Sequence, residues 1–169
     1  EVNFIMELLS RYLTNEIDEF NENNVQVRFI GSRKGLPEIV QQKMEHAIEA
    51  TKNNTGIILN LAINYGGQAE ILHAVRTIAA EAANGTLAVE DIDNNVIENH
   101  LYTKGLPAPD LLIRPGGDLR ISNFLLWQIA YAEIWTTKVF WPEFTPDHLV
   151  EAILAYQGRE RRFGGLVSR

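Results

Sequence analysis

The stretch "IILNLAI", residues 57 to 63, is apolar at every position except Asn60. A strand with one wet face would carry a polar residue at every second position, whereas a strand covered by helices on both faces would not. The run therefore predicts a central parallel strand, and the expected fold class is α/β: a mostly parallel central sheet with helices on both faces. The segments around it agree. Residues 3 to 21 repeat Phe4, Ile5, Leu8, Leu9, Tyr12, Leu13, Ile17 and Phe20 at intervals of three and four, predicting a helix that Asn23 and Asn24 end. "VQVRFIG", residues 25 to 31, alternates Val25, Val27 and Phe29 with other neighbours and predicts a strand that stops at Gly31. Pro37 suits the first turn of a helix whose inward stripe is Val40, Met44, Ala47, Ile48 and Thr51. "NYGG" then leads into a helix over 68–83, with Ile71, Leu72, Val75, Ile78 and Ala79 inward and Gly85 as its stop. A short helix is expected over 93–101 and a strand over 111–113. Ser122 is placed to cap a helix reaching Ala130, "EIWTTKVFW" has the composition of a strand, and 145–157 closes as a helix.

Composition narrows the function classes. The 169 residues are 46% hydrophobic, enough for one sizeable core, and the whole chain is expected to form a single domain. There is no cysteine, which removes disulfides and thiolate metal sites and is compatible with a cytoplasmic location. A net charge of −7 argues against nucleic-acid binding, yet arginines cluster at 114–120 and 159–162, so local anion binding survives the global acidity. No apolar run reaches the roughly 18 residues that span a bilayer.

Two glycine-rich stretches sit at the carboxyl ends of predicted strands, where ligands collect in open parallel sheets. "NLAINYGGQAEI" offers helix-start amides to an anion, but a tight turn that needs glycine is the simpler account. "IRPGGDLRIS" adds side chains. Arg114 and Arg120 present guanidinium forks that match phosphate oxygens, and with the Ser122 hydroxyl they suit a diphosphate better than a single phosphate. From spacing alone, a structural network with Asp118, Asp110 or Glu133 fits equally well. Glu133 lies in the otherwise apolar "AYAEIW", where a carboxylate needs a partner: either Mg²⁺ beside substrate phosphates or an arginine. The four histidines, 46, 73, 100 and 148, show no metal-ligand spacing.

Taken together, "NLAINYGGQAEI", "PDLLIRPGGDLRISNFLLWQIAYAE", "WPEF" and "RERRFGG" resemble the cis-prenyltransferase family in its bacterial undecaprenyl diphosphate synthase branch, in order and over almost the whole chain. The resemblance implies a homodimeric α/β enzyme that uses Mg²⁺ to add isopentenyl diphosphate units to farnesyl diphosphate with cis geometry, giving the undecaprenyl carrier of cell-wall synthesis. It assigns Arg114, Arg120, Ile121 and Ser122 to the diphosphate of isopentenyl diphosphate, and Glu133 to magnesium. It assigns Arg162 and Gly164 to an Arg-x-Gly motif that reaches the active site across the dimer. Met6, Leu9, Leu13, Ile57 and Leu59 match the walls of a tunnel for the growing chain. Peripheral contact with a membrane at product release is part of the same picture; a transmembrane segment is not.

The family's Met-Asp-Gly-Asn-Gly-Arg-Trp loop, with its catalytic aspartate, has no counterpart in these residues. The match is thus to the C-terminal two-thirds of the family, and the expectation for this stretch alone is little or no activity. A noncatalytic partner subunit of a heteromeric enzyme is the alternative, and an unrelated phosphate-binding module a third. Gln68, Pro115 and Asp118 stand where arginine, threonine and glutamate are common in the family.

Overall fold

A computed structural model describes residues 2–159. Arg162 and Gly164 lie outside the described residues. The chain divides into two compact units, Glu1–Gly105 and Leu106–Arg169.

In the first unit, β1 (Gln26–Ile30) and β2 (Ile58–Ala62) pair in parallel, with Gln26 opposite Ile58 and Ile30 opposite Ala62. The predicted first helix is two helices, α1 (Val2–Asn15) and α2 (Ile17–Glu22), with Glu16 between them at φ −97° and ψ −1°. Leu13 and Ile17, four residues apart on either side of the break, both reach the core, where they join Val27, Val40, Met44 and Ala47. Val40, Met44 and Ala47 come from α3 (Glu38–Thr51), whose predicted stripe is buried except for Ile48, which is half-buried. Thr51 closes that stripe and is fully buried. Its hydroxyl donates to the Ala47 carbonyl at 2.8 Å and accepts the Val27 amide at 3.0 Å, so the helix end is pinned to β1. Gly31 ends β1 at φ +115°, and a Cβ there would lie 2.1 Å from the Ile63 carbonyl oxygen, so only glycine lets the two strand ends approach.

β2 departs from the two-sided burial that its composition predicts. Ile57 is 75% exposed and Ile58 39% exposed, and β1 is the strand's one ladder partner among the described residues. A second correction concerns α4 (Gly67–Ala83). Its buried face is Gly67, Glu70, Ala74 and Ile78, while Leu72 and Val75 are about half exposed. Of the predicted stripe Ile78 is buried, and a carboxylate, Glu70, points inward on the same face. α5 (Asn94–His100) follows, capped by Asp93 Oδ1, which accepts the Val96 amide at 2.8 Å. That bond holds the Asp93 carboxyl below its usual range.

In the second unit, β3 (Leu111–Arg114) and β4 (Glu133–Thr136) are also parallel, with Leu111 opposite Glu133 and Arg114 opposite Thr136. The strands are thus parallel as expected, arranged as two two-stranded ladders. The helix expected after Ser122 is instead a series of turns: Ser122, Asn123 and Leu125 have φ of +52°, +62° and +46°, and a right-handed helix cannot propagate through them. α6 (Pro146–Gln157) starts at Thr145 as predicted, with a capping box in which the His148 ring nitrogen Nδ1 takes the Thr145 amide at 3.0 Å.

Candidate functional site

β3 delivers Arg114 at its carboxyl end, and the chain then turns through Gly116 and Gly117, both in the left-handed region at φ +93° and +82°. Their amides donate to the Val139 and Thr137 carbonyls, each at 2.8 Å, which fastens the loop beside the end of β4. The loop folds back so that Arg114 Nη1 donates to the carbonyl of Arg120 and, at 3.1 Å, to Ser122 Oγ. The left-handed turn at Ser122 presents that hydroxyl to Arg114. Asp118 completes the cluster, with Oδ2 2.5 Å from Arg120 Nη2 and 3.7 Å from Arg114 Nη2. Both readings left open by spacing therefore meet here: the arginines converge, and they already share a carboxylate.

Beneath them lies a cavity of about 300 Å³ lined by Leu112, Arg114, Leu119, Arg120, Ile121, Ile134 and Thr136. Strand alternation explains the lining. Leu112 and Arg114 face the same side as their register partners Ile134 and Thr136; the half-buried Leu112 and Ile134 supply the apolar floor, and the exposed Leu119 and Ile121 of the loop complete the lining. A cationic rim over an apolar floor can bind an anion that carries a short hydrocarbon group.

Glu133 is not on that face. It alternates with Ile134, so it points to the other side of the ladder, where Arg159, just past α6, donates to it at 2.5 Å and to the Ile134 carbonyl at 3.1 Å. Among the described residues no three His, Asp or Glu side chains converge on a point. Within the described residues the partner of Glu133 is thus Arg159.

Of the residues matched to the tunnel, Leu13 is in the core of the first unit, and Met6 and Leu9 pack against that core. Ile57 is exposed, and Leu59 is half-buried on β2. Sequence reading overlooked Glu70. It is 0% exposed, accepting the Tyr65 hydroxyl at 2.5 Å and the Tyr102 amide at 2.7 Å, and it ties the "NYGG" turn to α4. Hydrogen bonding to both is what makes a buried carboxylate tolerable. The signal available was the tyrosine five residues earlier, whose hydroxyl a helix-start glutamate can reach.

A family model described as putative undecaprenyl diphosphate synthase matches residues 1–164. The chain belongs to that family. Isoprenyl transferases of Clostridium tetani and Geobacillus kaustophilus are each 48% identical, over 98% and 100% of this chain. The chain spans 65% and 66% of the length of those two relatives. The crystal structure of lavandulyl diphosphate synthase from Lavandula x intermedia, solved with dimethylallyl diphosphate, superposes with a TM-score of 0.94 at 37% identity, covering 98% of this chain and 72% of that one. A probable undecaprenyl diphosphate synthase from Campylobacter jejuni gives a TM-score of 0.83 at 36% identity, covering 98% of this chain and 75% of that one. The family membership and the α/β fold stand together on these matches, and no described helix is long and apolar enough to cross a membrane.

Proposed function

We propose that this chain carries the isopentenyl diphosphate cradle of a cis-prenyltransferase that extends farnesyl diphosphate to undecaprenyl diphosphate. The observation that carries the reading is that the guanidinium groups of Arg114 and Arg120 meet at Asp118 on the rim of an apolar cavity, with the Ser122 hydroxyl bonded to Arg114. The guanidinium groups take the diphosphate, and the lining of Leu112, Ile121 and Ile134 takes the five-carbon group. Holding the diphosphate fixes the attacking double bond relative to the allylic partner, so the cradle acts by positioning. A noncatalytic partner subunit would have no use for such a site.

The rest of the reading belongs to the complete enzyme. It works as a cytoplasmic homodimer, with Arg162 and Gly164 reaching the substrate across the dimer and Met6, Leu9, Leu13, Ile57 and Leu59 beside the growing chain. Residues 1–169 act in it as one domain, a reading supported by the single family match over 1–164. Magnesium is its cofactor, and among the described residues Glu133 is the carboxylate that would hold it.

The test is Arg120→Ala in the complete enzyme. A charge-assisted hydrogen bond contributes roughly 1.5–3 kcal/mol, so KM for isopentenyl diphosphate should rise about 10- to 100-fold while KM for the allylic primer stays within about twofold. An unchanged KM for isopentenyl diphosphate removes Arg120 from the cradle.

A further inference from the structure

The cradle contains a negative charge for which the positioning of isopentenyl diphosphate has no use. Asp118 Oδ2 lies 2.5 Å from Arg120 Nη2 and 3.7 Å from Arg114 Nη2, so one carboxylate oxygen stands between the two guanidinium groups that rim the cavity. That is where an oxygen of an incoming anion would stand. Arg114 does not depend on Asp118 for its orientation, because Nη1 is bonded to the Arg120 carbonyl and to Ser122 Oγ. The Asp118 side chain is 49% exposed and that of Arg120 67% exposed, so water screens their pairing and leaves it easy to open. A diphosphate brings more charge and more acceptor oxygens to the same forks.

We propose that Asp118 is an internal counter-anion of the cradle, occupying the anion position in the free protein and displaced when a diphosphate binds. This rests on the cradle reading and adds to it a sign: the carboxylate lowers affinity for the ligand that its neighbours recruit. A carboxylate that only held Arg120 in place would have the opposite effect on binding.

Calorimetric titration of the chain with inorganic pyrophosphate at low ionic strength tests this, using the unaltered protein, Asp118→Asn and Arg120→Ala, with circular dichroism to verify folding. Asparagine keeps the shape and an acceptor for Arg120 while removing the charge. Asp118→Asn should bind pyrophosphate tighter, roughly three- to tenfold for one charge removed a few ångströms away in a largely aqueous setting, and the gain should shrink as salt is added. Binding detected only in Asp118→Asn supports the proposal in the same way. If Asp118→Asn binds equally or more weakly while Arg120→Ala loses affinity, the cradle stands and the counter-anion role is overturned. If Arg120→Ala binds as the unaltered protein does, or no variant binds, the cradle itself fails, and the role of Asp118 with it.

Discussion

Thr51 and His100 show how single polar groups decide local stability. Thr51→Val keeps the shape but leaves the Val27 amide buried without its acceptor, which costs about 1–3 kcal/mol and should lower Tm by several degrees in a thermal melt. His100 is bonded at both nitrogens to acceptors, Nδ1 to the Val96 carbonyl at 2.6 Å and Nε2 to Glu81 Oε2 at 3.0 Å. Only the imidazolium can donate to both, so the Val96 carbonyl first and Glu81 second raise its pKa above the usual histidine value. The unfolded chain titrates at the usual value. The contribution is therefore fully present below about pH 6.5 and is lost as pH rises through the folded pKa. Thermal melts from pH 6 to 8 should show a decline that His100→Gln removes; an identical slope in both proteins would count against the pairing. The cradle arginines were legible at this scale because a fork-shaped cation beside twin glycines is an unusual local pattern. Glu70 was not, because a buried carboxylate looks like surface until its partners are seen.

Among the elements, those with a strong repeat came through: α3, β1, β3 and α6 stand close to their expected spans, whereas β4 stops at Thr136, well short of the expected run to Trp141. α4 is the instructive failure. Counting aliphatics favoured Leu72 and Val75, but the helix has apolar residues nearly all round, and Glu70 with its tyrosine partners chose which side turns inward. The turns after Ser122 failed for another reason: Ser122 is a common cap, and nothing local announces three residues in the left-handed region. The side that Glu133 faces needed the register of β3 on β4, which is a tertiary fact. Its partner Arg159 holds the end of α6 to β4. With side chains 42% and 27% exposed the pair is worth about 0.2–1 kcal/mol, so Arg159→Ala should leave the global melt nearly unchanged. Amide exchange in the last turn of α6 should nonetheless quicken measurably.

For the molecule as a whole, the buried apolar residues are unevenly shared. Leu13, Ile17, Val27, Ile30, Val40, Met44, Ala47, Ala74, Ile78 and Leu101 belong to the first unit; among the described residues of the second, Ile129 and Ala152 do. Burial of apolar surface is the main source of protection against opening. Hydrogen exchange should therefore find slower amides in β1 and α3 than in β3 and β4, and the reverse order would show that the core is misplaced. The proposed cradle thus lies in the less deeply buried part of the chain, where Arg114 has been fixed by its own neighbours. A guanidinium tethered to Ser122 and to the Arg120 carbonyl has lost its rotamer freedom during folding, so capturing an anion need immobilise little beyond Arg120, and recognition begins from a partly preorganised receptor.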